Sequence, residues 1–154
     1  MPLFLNIPLS EVWVHSPGAA GAGQGTGSQD KVRRYTVALV NTGTAITYAD
    51  SSSLGGTFTI NETGFYMIHR GEYRTGGSFA AGVSVNSNQL STGIASITAA
   101  HRTPITSYGS GASVVGVDGD VVFLTAGDVI RAHDSTTVTN GTTFESFLRI
   151  MRVA

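Results

Sequence analysis

The side chains able to do chemistry are few and dispersed. Histidines stand at positions 15, 69, 101 and 133, and no two of them have the close spacing of a histidine metal motif. Cysteine is absent, which removes disulfides and thiolate metal sites together. Asp118-Gly119-Asp120 sets two carboxylates in one short stretch, but the further acidic residues of a calcium loop are missing, so the stretch reads as a hairpin turn. Gly109-Ser110-Gly111 is too short to be the elbow that exposes a nucleophilic serine. Asn61-Glu62-Thr63 and Asn140-Gly141-Thr142 satisfy the glycosylation pattern, and without a secretion signal they are more simply turn residues. These residues lead us to expect no catalysis, no metal and no cofactor.

Two other charges call for explanation. Arg149 and Arg152 interrupt an otherwise apolar final run. Buried charge is costly, so they must reach solvent at a rim or pair with carboxylates such as Asp128 or Glu145.

Composition narrows the class. A chain of 154 residues is one domain by size and long enough to bury its own core. Only 12% of residues are charged, about half the usual share, while glycine, serine and threonine abound. That mixture suits short strands joined by tight turns, and it leaves a low-charge surface that a stable oligomer would partly hide. The net charge is -1 and Arg33-Arg34 is the only adjacent basic pair, so nucleic acid, which needs a concentrated basic face, is a poor partner. The apolar start of the chain is cut by Asn6 and Pro8 and reads neither as a signal peptide nor as a membrane span.

The elements follow from the apolar pattern. Residues 1–16 hold two short extended pieces and residues 17–30 form a Gly-rich tether. The first segment is either an edge strand of the domain or an arm that docks on a neighbouring molecule, with Phe4, Ile7 and Trp13 as its anchors. Residues 31–154 form the domain proper. Within it, residues 56–70 are the organising stretch: Phe58 and Ile60 alternate with threonines, residues 61–64 supply turn chemistry, and residues 65–70 resume as an apolar run, together a hairpin. Phe65, Tyr66 and Met67 are too continuously apolar for a strand with one wet face, so other strands or subunits must cover both sides. In the last strand Phe144, Leu148 and Ile150 share one face, while Phe147, Met151 and Val153 share the other. We therefore place Phe65, Tyr66, Met67, Phe144, Phe147 and Met151 in the core or at a subunit interface. Between these lie a strand over residues 32–40, a further extended piece over residues 89–100, a polar loop over residues 104–111 and a turn at Asp118-Gly119. About eight to ten strands and no helix are the pattern of an antiparallel β-sandwich or barrel.

Several of these residues carry a resemblance. Phe58, Gly64 and Tyr66, spaced by five residues and then one, resemble the core of the signature of complement-type globular heads, whose fold is similar to that of the tumour necrosis factor ligands. Val83-Ser84-Val85-Asn86, residues 124–130 around the Gly127-Asp128 turn, and Thr143-Phe144-Glu145-Ser146-Phe147-Leu148 resemble three later pieces in the same order. Ile46, Ser51, Ile68 and Arg70 depart from the pattern, and the tether is not a collagen-like stalk. The resemblance covers roughly residues 31–154 and implies a ten-strand jelly roll assembling as a compact homotrimer. Similar domains occur in bacteriophage virions. It thus implies a structural virion protein, a trimeric capsid decoration protein bound to the major capsid protein at the capsid surface. The alternative is the receptor-binding tip of a phage fibre, holding a host-surface glycan in loops at residues 51–56, Tyr108 and residues 135–143. A jelly-roll enzyme of the cupin kind would show clustered His and Glu ligands, which this sequence lacks.

Overall fold

The computed structural model describes residues 10–16, 31–75, 79–109, 113–135 and 146–153. The strands are β1 (Glu11–Ser16), β2 (Val37–Thr42), β3 (Ile46–Ser51), β4 (Gly55–Ile60), β5 (Gly64–Thr75), β6 (Phe79–Val85), β7 (Arg102–Gly109), β8 (Ser113–Leu124), β9 (Val129–Asp134) and β10 (Ser146–Arg152). They form two five-stranded antiparallel sheets, in the order β2-β1-β10-β5-β8 and β3-β4-β9-β6-β7. The fold is an all-β jelly-roll sandwich, as the strand pattern predicts.

Period-two alternation explains the packing. Val12 and Val14 of β1, Tyr66 and Ile68 of β5, and Leu148 and Ile150 of β10 point inward and are buried. They meet Ile46, Phe58, Ile60, Val83, Ile130 and Ala132 of the other sheet in one core, the usual interior of two facing sheets.

Four local expectations are corrected. Residues 56–70 are not a hairpin: β4 pairs with β3 and β9, whereas β5 pairs with β10 and β8. The connection between them crosses from sheet to sheet, held by Asn61 Nδ2 donating to Thr44 C=O and Thr47 Oγ1 at 2.7 and 2.9 Å, and by Ala126 N–H donating to Thr63 Oγ1 at 3.0 Å. Asp118-Gly119 lies inside β8, in unbroken register with Arg70 and His69; twelve residues of pairing override a turn-prone dipeptide. Residues 104–109 belong to β7, where Pro104 is tolerated because β7 is an edge strand. Residues 94–101 form two short 3-10 turns, Ile94–Ser96 and Ala99–His101, rather than a strand. Ile94 and Ile97 bury themselves against Ala80, while Arg102 Nη1 donates to Ile94 C=O and Ala95 C=O at 3.1 and 3.2 Å.

The first segment is corrected too. β1 is neither an arm nor an edge, because it is paired with β10 on one side and β2 on the other. Its alternating Val12, Val14 and Ser16 fit a half-buried inner strand.

The expected strand over residues 32–40 divides at residue 37. Before it, the chain crosses the second sheet: Val32 bridges His133, Arg33 N–H donates to Ala132 C=O at 3.0 Å, and Gly56 N–H donates to Arg33 C=O at 2.9 Å. Gly55, at φ +75°, lets this crossing approach, since a β-carbon there would collide with Val32.

Beneath the crossing lies a buried charge quartet. Arg33 pairs with Glu72, and its Nη2 lies 3.7 Å from Asp134 Oδ2. Arg70 Nη2 donates to Glu72 Oε2 at 2.9 Å and also pairs with Asp134, while its Nη1 donates to His133 C=O at 2.7 Å and to Gly82 C=O. All four side chains are at most 2% exposed. Burial alone would push both guanidiniums down, but the fields of Glu72 and Asp134 outweigh it and hold them above their ordinary value. Burial pushes the Glu72 carboxyl up, and the neighbouring arginines only partly reverse it. Removing one member leaves an uncompensated buried charge, so Glu72→Ala is expected to cost about 3–5 kcal/mol in urea unfolding.

His133 flanks this quartet, fully buried, with Nδ1–H donating to Thr92 C=O at 3.0 Å. Burial lowers its pKa from 6.5 to about 4, with Arg70 adding to the shift and the Thr92 contact opposing it. Between these values the unfolded chain takes up a proton that the folded chain refuses, so stability falls as pH falls, by roughly 3 kcal/mol over the window. Denaturant midpoints measured from about pH 7 to about pH 4 are expected to decline with that slope, and His133→Asn to flatten it.

Candidate functional site

The face of the first sheet turned away from the core is the best-formed candidate. The same alternation that buries Tyr66, Ile68, Leu148 and Ile150 turns Phe65, Met67 and His69 of β5 outward, together with Phe147, Arg149 and Met151 of β10. Register sets Met67 opposite Met151 and His69 opposite Arg149 on one side, and Phe65 opposite Phe123 and Met67 opposite Val121 on the other. Phe65, Val121 and Phe123 are 48, 50 and 58% exposed, a cost to leave in water of about 25 cal/mol for each Å².

Aromatic contacts organise this face. Phe65 and Phe123 meet edge to face with centroids 5.2 Å apart, and Trp13 of β1 meets Phe147 in the same way at 6.5 Å. The Arg149 guanidinium lies 5.5 Å from the Trp13 ring centroid while its Nε donates to Glu11 Oε1 at 2.6 Å. Two glycines keep the face low. A β-carbon at Gly71 would collide with the Phe147 ring, and one at Gly119 would come within 3.0–3.2 Å of the His69 ring. Both rings therefore occupy the space above a neighbouring strand's bare backbone.

The sequence-derived residues divide here. Phe65, Met67, Phe147 and Met151 come together on this face, whereas Tyr66 is wholly in the core. Trp13, assigned to a docking arm, instead packs on Phe147 within its own chain. Phe144, Phe4 and Ile7 lie outside the described residues. Val121, Phe123 and His69 are additional members. The outward parity of Val121 and Phe123 is visible in the sequence once β8 is taken as one strand, but a turn at Asp118-Gly119 hides it, while that of His69 follows from Phe65 and Met67 on β5. Arg149 pairs with Glu11, and Arg152 with Glu62, rather than with Asp128 or Glu145.

Other candidate sites are less developed. Among the described residues no three His, Asp or Glu side chains gather into a metal-sized cluster. A hollow of about 380 Å³ is lined by Asn41, Gly43, Thr44, Ile46, Thr47, Tyr48 and Asn61, yet the Asn61 amide already serves Thr44 and Thr47. A second hollow, about 130 Å³ beside Asn86, Gln89 and His101, has the Asn86 amide engaged by Asp128 and Val129.

No family model matches the sequence, and no curated protein matches it. Solved structures do match the fold. Murine APRIL at pH 5.0 is 13% identical with a TM-score of 0.63, covering 94% of this chain and 100% of that one. The globular domain of a zebrafish complement 1qA protein is 12% identical with a TM-score of 0.62, covering 94% and 97%. The chain is thus similar in fold to a tumour necrosis factor-like ligand and a complement globular head, the two groups its motifs resemble.

The glycine-aromatic packing is directly testable. Gly71→Ala is expected to destabilise the protein by about 1–3 kcal/mol through overpacking. Most of that loss is expected to vanish in a Phe147→Ala background, measured as a double-mutant cycle in urea.

Proposed function

We propose that this protein is a non-catalytic structural module that assembles as a homotrimer through the outer face of its first sheet, and that the trimer decorates a phage-like capsid. The observation that supports assembly is the outward apolar cluster of Phe65, Met67, Val121, Phe123 and Met151, with Phe147 beyond the Arg149–His69 row, on a protein with few charged residues. A symmetric association of like chains covers such a face without a second gene product. The homotrimer is the assembly its motif resemblance implies, and a virion surface is the setting in which similar domains serve as decoration proteins. Attachment to the major capsid protein would rest on avidity of the three copies, with Phe4 and Ile7 as anchors.

Light scattering is expected to return three times the 16.0 kDa chain mass, and Phe123→Asp to return single folded chains. A wild-type monomer at micromolar concentration would sink the assembly. Deleting residues 1–9, which spares the inner strand β1, is expected to abolish binding to the cognate capsid while leaving the melting temperature unchanged. Undiminished capsid binding would refute the anchor role of Phe4 and Ile7. Loss of a host-glycan interaction on substituting loop residues would instead favour a fibre-tip receptor binder.

A further inference from the structure

The apolar face carries a titratable group at a position that hydrophobic packing alone does not explain. His69 is half-buried on β5, one strand in from the β8 edge. Toward β10 it is in register with Arg149, a permanent cation. Toward β8 it is in register with Gly119, whose backbone its ring covers. Along its own strand the outward neighbours are Met67 and Gly71. Among the described side chains no carboxylate faces it. Glu11, on the same face, is engaged by Arg149 at 2.6 Å. Asp120 is in register with Ile68 and accepts from Val121 N–H at 2.8 Å. Asp118 is in register with Arg70. His15, the other histidine of the face, is in register with Phe147 on the far side of β10.

We propose that His69 is a proton-operated release for the assembly, holding the copies together when neutral and driving them apart when charged. The inference rests on the homotrimer proposed above. A second copy laid on this face strips water from the His69 ring. A neutral ring tolerates that, lying flat over the Gly119 backbone. A protonated ring loses its hydration, finds no carboxylate beside it among the described side chains of its own chain and adds a positive charge beside Arg149. In the separated chain, water solvates the same charge. The assembled form therefore binds fewer protons than the separated chains, so association is favoured at neutral pH and weakened by acid.

The test is mass by sedimentation equilibrium at about pH 7.5 and about pH 5.5, with far-UV circular dichroism recorded on each sample to separate dissociation from the loss of stability that His133 causes in the same direction. Wild-type protein is expected to pass from trimer to folded monomer, with His15→Gln doing the same. His69→Gln and His69→Leu are expected to remain trimeric at both pH values. A single-chain mass at every pH would overturn the assembly itself. A trimer at both pH values would overturn only the release. Equal dissociation of wild type and both His69 variants, or dissociation accompanied by lost circular dichroism, would also overturn the assignment to His69.

Discussion

The fold turns on the contact of Arg33 and Arg70 with Glu72 and Asp134. These side chains belong to three separate parts of the chain: the crossing segment before β2, the middle of β5, and the end of β9. Two guanidiniums and two carboxylates sum to no net charge, which is the condition under which ions survive without water. Arg70 also takes up the carbonyls of Gly82 and His133. A single side chain of the first sheet thereby ties β6 and β9 of the second. Apolar residues of equal volume often stabilise as well as a buried ion pair does, so the quartet contributes most through what it forbids. Sliding β5 by one residue would turn Arg70 and Glu72 outward and leave Asp134 and Arg33 buried without partners.

That constraint accounts for much of the remaining architecture. With the crossing segment anchored by Arg33, Val32 fills the space above Gly55, and Tyr35 is sealed against Gly56. Tyr48 reaches across to donate to the Tyr35 carbonyl. β2 then runs beside β1, which places β1 inside the sheet with both of its edges paired. The interior is closed at the quartet end by charge and elsewhere by aliphatic packing.

The two faces of the first sheet differ in kind. Its inner face is saturated by the second sheet, with Val12, Tyr66, Ile68 and Ile150 excluded from water. Its outer face has the composition of a core but no covering element among the described residues. Exposed aromatic rings, opposed methionines and glycines that keep the surface low suit contact with another protein surface better than contact with water. An ion pair there, Arg149 with Glu11, stacks its guanidinium on Trp13, and so presents a planar, largely apolar profile.

Much of this was legible from alternation alone. The two faces of β10 follow from Leu148 and Ile150 against Phe147 and Met151, and the phenylalanine, glycine and tyrosine at 58, 64 and 66 carry the family likeness that the solved structures match. On β5, Arg70 and Glu72 share the inward positions of Tyr66 and Ile68, so a strand buried on that face had to bury them. What the sequence by itself determined was which way the side chains of a strand such as β10 point, because that depends on period-two alternation within a few residues, whereas residues 94–101 and 104–109 show that extension itself was not settled locally. Tertiary structure alone decided whether residues 61–63 close a hairpin or cross between sheets, whether Asp118-Gly119 bends or stays in register, and whether Trp13 reaches outward or packs on Phe147. Each of those outcomes is set by pairing with strands tens of residues away, and the free energy of such long-range ladders and buried charges outweighs the preference of any dipeptide for a turn.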